Sequence, residues 1–299
     1  FYTDRMIKDL YIDCPTGIAG DMLLAGFIDL GLPDDFLPIQ IKSLGLEKVL
    51  NINSYEDKSY GLRGIKLHLE KIDSFDFDRS WVGIENFINK SSLKDSIRNN
   101  SLTVFKELAE AEACVHGCKL NDVHFHEIGS LETLINIVGV CSAIDYFNPE
   151  NIYCSPLPCG KGTVNTSHGI LPVPVPTVLE IARKKNIPLS SSANSSDGEL
   201  TTPSGIALMS VFASSYYKPA CFEVLSIGIG LGSRDLKRSN ILRICQIRNS
   251  LVDNCHNPIE GLNWQELIMQ EAWIDDASPE DLAELASQLK MAGAIEVSS

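Results

Sequence analysis

Polar and apolar positions divide the chain into elements before any single residue is considered. Residues 8–14 (KDLYIDC) read as a strand, and TGIAGD (16–21) follows as a glycine-containing turn. MLLAGFIDLGL (22–32) then takes helical apolar spacing, with Gly31 as its stop and Pro33 beyond it. A second short helix starts in PDDFLPIQIKSLGL. Residues 48–72 alternate and break near Ser59 to Gly61, which predicts a hairpin. Residues 80–117 are helical in pattern; the last helix, 94–116, is long and amphipathic, and Gly117 suits the position after its end. A further helix starts near Ser130, where Glu132 in the first turn suits the helix dipole.

NIYCSPLPCGKGTV reads as strand and loop, and PVPVPTVLEIARKK (172–185) as a helix with Pro176 in its first turn. SSSANSSDGE (190–199) is a polar loop, and the next helix starts after Thr202 with Pro203 in first place. Residues 222–248 make two strands joined by a turn at Gly232 and Ser233. After a polar connector, NCHNPIEGLN, residues 265–299 give a strand, a helix capped by Ser278, Pro279 and Glu280, and a strand start. The sum is an α+β (mixed α/β) protein with a main domain over 1–255 and a second unit over 265–299.

Composition narrows the function classes. A chain of 299 residues exceeds the usual reach of one core, which favours two domains. Net charge −14 disfavours nucleic acid or an anionic membrane as main partner. The longest apolar stretches are too short to span a bilayer. Nine cysteines without framework spacing suit a reducing cytoplasm.

Chemistry concentrates in five stretches. VHFHE (123–127) holds two of the six histidines, and CVHGC (114–118) holds a third. Alternate residues of an extended segment share a side, so His124 and His126 can offer two imidazoles to one cation, with His116 a short loop away. A buried strand whose histidines bond to backbone fits the same spacing. The spacing matches no closed Cys/His zinc template, and Cys114 and Cys118 cannot face one point together with His116 on a helix. DCPTGIAGDM (13–22) offers a helix start to an anion and Asp13 and Asp21 to a cation; a tight capped turn is the plainer alternative. PLPCGKGTVNTSHGILPVPVP (156–176) carries Lys161 and His168 as its ionisable side chains. GELTTPSG (198–205) places Thr201 and Thr202 at a helix start, and GLGSRDLKRSN (230–240) carries Arg234, facing either a phosphate or Asp235.

In order, IDCPTGIAGDMLLAGFIDLG, VHFHEIGSLETLINIVG, SPLPCGKGTVNTSHGILPVPVPTVLEI, ELTTPSGIAL and GIGLGSRDLKRSNILRI resemble the LarC family, the nickel-insertion proteins of nickel-pincer cofactor biosynthesis. The resemblance implies insertion of nickel into pyridinium-3,5-bisthiocarboxylic acid mononucleotide by a lyase-type insertase that uses CTP with Mg or Mn. The product is the cofactor of lactate racemase and related enzymes. It further implies that His116, His124 and His126 hold nickel, with Glu132, Asp13 and Asp21 as further metal ligands. Glu127 or His168 would take the ring proton. Gly17, Gly20, Lys161, Thr201, Thr202 and Arg234 would bind the mononucleotide. Glu132 and Asn136 stand where the family carries two aspartates. The C-terminal stretch resembles the first strand and helix of the family's ferredoxin-like domain, to which CTP binding is ascribed. A separate C-terminal part is therefore an expected partner, homo-oligomerisation stays open, and a nickel-binding assembly subunit without catalysis is the alternative function.

Overall fold

The computed structural model describes residues 9–73, 75–126, 128–191, 198–219, 221–249, 271–272 and 274–297. The chain divides into two compact units, residues 1–255 and 256–299. The connector expected at NCHNPIEGLN and residues 265–270 of the strand expected before Ser278 lie outside the described residues, and the described residues of 271–278 and 292–297 form no strand.

In the first unit, β1 (Asp9–Asp13) leads into α1 (Gly20–Gly31), and α2 (Phe36–Ser43) follows. The hairpin β2 (Leu50–Ser59) and β3 (Leu62–Lys71) turns at Tyr60 and Gly61, both with positive φ, as a two-residue hairpin of this hand requires. Three helices come next: α3 (Trp81–Lys90), α4 (Asp95–His116) and α5 (Leu131–Phe147). Gly117 closes α4 in the left-handed conformation at φ +64°, and the Ser130 hydroxyl caps α5 by accepting from the Thr133 N–H. The irregular stretch folds as short strands β4 (Ile152–Cys154), β5 (Leu157–Pro158), β6 (Gly160–Lys161), β7 (Thr163–Thr166) and β8 (Gly169–Pro172). Then come α6 (Pro176–Lys185), β9 (Leu189–Ser190), β10 (Gly198–Glu199), α7 (Pro203–Phe212), β11 (Phe222–Leu231) and β12 (Ile241–Asn249).

Six strands form one mixed sheet in the order β2-β3-β11-β12-β1-β4. β1 runs antiparallel to β12 and parallel to β4. One face, with Leu10, Ile12, Leu242 and Ile244, joins the main core under the helices. The other carries a separate small cluster of Tyr11, Cys245 and Ile247. α5 is apolar on nearly every side and buried from Leu134 to Ile144, as befits the central helix of the layer. The chain is an α+β protein.

α1 approaches β11 closely enough to require glycine. A Cβ on Gly230 would stand 1.9 Å from the Met22 carbonyl oxygen, and one on Gly228 would stand 2.1 Å from that of Gly26. β11 meets β3 through a single parallel pair, Gly230 with Ile65. Beside it the buried Asp29 of α1 accepts the Ile229 N–H at 2.8 Å and pairs with Arg63 of β3 at 2.7 Å. A helix carboxylate thus ties together two strands whose own ladder is short.

The second unit shows α8 (Pro279–Met291). Ser278 and Asp281 form a full capping box at its start, with Pro279 in first place. No helix among the described residues is long and apolar enough to cross a membrane. Among the described residues seven cysteines are free and Cys221 is disulfide-bonded, which departs from the expectation of a reducing cytoplasm.

Gly230→Ala forces α1 off the sheet, because the new methyl meets backbone rather than a flexible side chain. Its expected cost is about 1–3 kcal/mol in urea unfolding. Leu179→Ala, at a half-exposed helix surface, should stay within about 0.5 kcal/mol. Equal stability of the two variants would contradict the close approach.

Candidate functional site

The loop before α1 is strapped to the loop before α7 by backbone bonds. The Ile18 N–H donates to the Leu200 carbonyl at 2.9 Å, and the Thr202 N–H donates to the Ile18 carbonyl at 3.0 Å. Glycine again permits the approach: a Cβ on Gly205 would stand 2.6 Å from the Ile18 oxygen, and one on Gly17 the same distance from the Leu200 oxygen. Thr16 anchors the strap to β12, exchanging bonds of 3.0 and 2.9 Å with the backbone of Ile241. The Thr201 hydroxyl, fully buried, donates to the Pro158 carbonyl at 2.8 Å.

These bonds gather helix starts around one cavity of about 580 Å³. α1 contributes Ala19 to Met22, α5 contributes Ser130 to Thr133, α6 contributes Val175 to Thr177, and α7 contributes Thr202 to Ser204. Ser130 and Thr202 cap α5 and α7 with their hydroxyls, whereas the cap positions of α1 and α6, Ala19 and Val175, supply no side-chain bond. Four positive helix ends therefore face one space, which suits an anion. Arg234 lines the same cavity and donates to the Glu199 carbonyl. Asp235 instead takes bonds of 2.9 Å from the Tyr60 hydroxyl and the Lys237 N–H, so Arg234 does not cross the turn to it.

The opposite wall carries imidazoles. Residues 123–125 run extended beside Arg79–Trp81, with Trp81 N–H to Val123 carbonyl and Phe125 N–H to Arg79 carbonyl both at 3.0 Å. Val123 and Phe125 point into the core, which turns His124 and His126 outward on one side, their rings 5.4 Å apart. His126 then meets His168 of the β7–β8 turn at 4.8 Å between ring centres, and His168 meets His116, the last residue of α4, also at 4.8 Å. His116, His126 and His168 line the cavity; His124 lines a separate depression beside Asp76 and Asp78. The Asp78 carboxyl is held below its usual range, first by the Ser80 N–H and hydroxyl and least by nearby His124.

Carboxylates complete the wall. Asp21 and Glu132 both line the cavity, and burial, with the Glu132 charge as a further contribution, pushes the Asp21 carboxyl above 3.8. Asn136, one turn beyond Glu132 on α5, has a buried Oδ1 without a hydrogen-bond partner. Glu112, one turn before His116 on α4, is buried, with Oε2 at 3.2 Å from His116 Nε2 and Oε1 accepting the Thr177 hydroxyl.

Several sequence candidates stand elsewhere. Asp13 pairs with Arg243 on the β12 side, and Lys161 is exposed on β6, paired through its backbone with β10. Gly17 and Thr201 hold the strap, while Gly20 and Thr202 reach the cavity. Glu127 lies outside the described residues. Cys114 bonds the Glu180 carboxylate, which raises its pKa and disfavours a thiolate. Among the described residues no three His, Cys, Asp or Glu side chains converge to enclose a metal ion. Glu112 and Thr177 were missed; for Glu112 the i, i+4 spacing to His116 is a signal the sequence does contain.

The family model described as nickel insertion protein matches residues 10–299. The chain belongs to the nickel insertion protein family. A Clostridium kluyveri relative named pyridinium-3,5-bisthiocarboxylic acid mononucleotide nickel insertion protein is 35% identical over 305 residues, covering 97% of this chain and 72% of its own length. A Staphylococcus saprophyticus relative of the same name is 34% identical over 291 residues, covering 97% of this chain and 70% of its own. No solved structure matches the chain. Among the described residues this cavity is where the helix starts and the imidazole trio meet.

Because the folded Asp21 carboxyl titrates above its unfolded value of 3.8, its ionised form costs stability near neutral pH. That cost falls as pH drops through the folded pKa and is gone below 3.8. Asp21→Asn is therefore expected to be more stable than the parent at neutral pH, with the advantage vanishing in acid. Urea titrations across that range test it, and an advantage that grows in acid would contradict it.

Proposed function

We propose that this cavity inserts nickel into pyridinium-3,5-bisthiocarboxylic acid mononucleotide, with the imidazole wall receiving the metal and the helix starts receiving the substrate's anionic groups. The observation that carries the reading is the meeting of His116, His126 and His168 with four helix starts around one cavity. A volume of about 580 Å³ suits a mononucleotide. Neutral imidazoles are borderline donors that bind nickel while leaving positions open to the thiocarboxylate sulfurs of the substrate.

Chemically, nickel bonds to the two sulfurs and to a ring carbon, and that carbon gives up its proton. The proton goes to His168 at the cavity wall or to Glu127, the two bases that the resemblance implies. The substrate phosphate is held at the positive starts of α1 and α6, with Arg234 as counter-charge. CTP with Mg or Mn is the co-substrate that the resemblance implies. The oxygen donors Asp21, Glu132 and Asn136 fit such a hard cation, since Asn136 Oδ1 has no partner of its own. The cation would neutralise phosphate charge there. In this reading the protein is a lyase-type insertase of the cytoplasm; the free thiols among the described residues favour that compartment and the Cys221 disulfide counts against it.

His116→Ala and His126→Ala together should weaken nickel binding at least tenfold by calorimetry, whereas His124→Ala, on the neighbouring depression, should change it less than threefold. Loss confined to His124→Ala would overturn the assignment of the cavity. The chain incubated with nickel, CTP and the precursor should yield the nickel–sulfur product by absorbance and mass spectrometry. Nickel binding without product under those conditions would favour the assembly-subunit alternative.

A further inference from the structure

His116 does not stand alone at the end of α4. Its Nε2 is 3.2 Å from Oε2 of Glu112, one helical turn back. Glu112 is a buried carboxylate, 7% exposed, and its second oxygen takes the Thr177 hydroxyl proton. Thr177 sits in the first turn of α6 and is itself 6% exposed. The carboxylate thus lies at the positive end of a second helix, where a negative charge is favoured. His168 meets the other side of the group, ring to ring.

We propose that Glu112 is a positioning residue that fixes the tautomer of His116, so that His116 meets nickel through Nδ1. An ionised carboxylate can only accept, so the imidazole nitrogen facing it carries the proton. The lone pair then resides on Nδ1. Metal-binding histidines commonly donate their other N–H to a carboxylate, which fixes the ring and strengthens the donor. Thr177 holds Glu112 in turn, so the α6 start and the α4 end act on one imidazole. The inference rests on the reading that this cavity receives nickel, and it adds to that reading which nitrogen does so and why.

Glu112→Gln tests it. The variant keeps the shape, and with the Thr177 hydroxyl on the amide oxygen, the amide N–H faces Nε2. That nitrogen must now accept, so the proton moves to Nδ1 and blocks the metal. Long-range proton–nitrogen spectra of the metal-free protein should show Nε2–H for His116 in the parent and Nδ1–H in the variant. Nickel affinity by calorimetry should fall about 10–100-fold. A strut joining α4 to α6 and nothing more would lower the melting temperature while leaving tautomer and nickel affinity unchanged, and that result overturns the proposal. If Glu112→Gln does not fold, the metal-free parent decides by itself: Nε2–H on His116 is expected, and Nδ1–H there overturns the proposal. A parent protein that binds no nickel would remove the nickel reading, and the nitrogen spectra would still decide whether Glu112 sets the tautomer.

Discussion

The site depends on the pairing of Ile18 with the Leu200–Thr202 backbone. Two hydrogen bonds across 182 and 184 positions of sequence bring the starts of α1 and α7 together. Each bond alone contributes about 0.5–1.5 kcal/mol. Their structural weight is larger, because the strap decides where two helix dipoles point. Gly17 and Gly205 have no side chain because the strap leaves no room for one. Thr16 and Thr201 then spend their hydroxyls on neighbouring carbonyls, which fixes the strap to β12 and to Pro158. Residues that look like ligands in the sequence are thus consumed in placing the helix starts that line the cavity.

This pairing also resolves an electrostatic tension. The chain carries a net charge of −14, yet the proposed substrate is an anion. Net charge acts at a distance and is screened within about 8–10 Å at physiological salt. Within the cavity the nearest charges decide: four helix starts and Arg234 against Asp21, Glu112, Glu132 and Glu199. Burial raises the Asp21 carboxyl first, and crowding by the Glu132 charge adds to it. A cation or a proton relieves the crowding, so an anionic ligand and a positive charge are favoured together there.

Local chemistry was legible in the sequence wherever one residue fixes the backbone. Gly117 ending α4, Ser130 starting α5, Pro176 in α6 and Thr202 before α7 each act through their own φ or hydroxyl, and each was readable without coordinates. Long-range placement was not. Nothing in TGIAGD announces that Ile18 pairs with Leu200, because a backbone bond leaves no side-chain signature. The same limit explains the site. HxH spacing gives two imidazoles on one side, and the fold does turn His124 and His126 outward together. Which of them shares a cavity with His168 is set by the β7–β8 turn, which periodicity cannot see. Asp13 looked like a cation ligand until Arg243, 230 residues away, was found beside it.

An insertase has an unusual requirement: it must hold a metal and then give it up. A closed tetrahedral site of cysteines and histidines would bind too well and leave no position for the acceptor. Here the imidazoles lie ring to ring at 4.8 Å, and the thiol at Cys114 is held away from thiolate by Glu180. The donor set is therefore incomplete by construction. In the proposed reaction the substrate sulfurs, softer and charged, would outcompete imidazoles for nickel. Transfer would then run toward the stronger ligand set, with the helix starts holding the acceptor beside the metal.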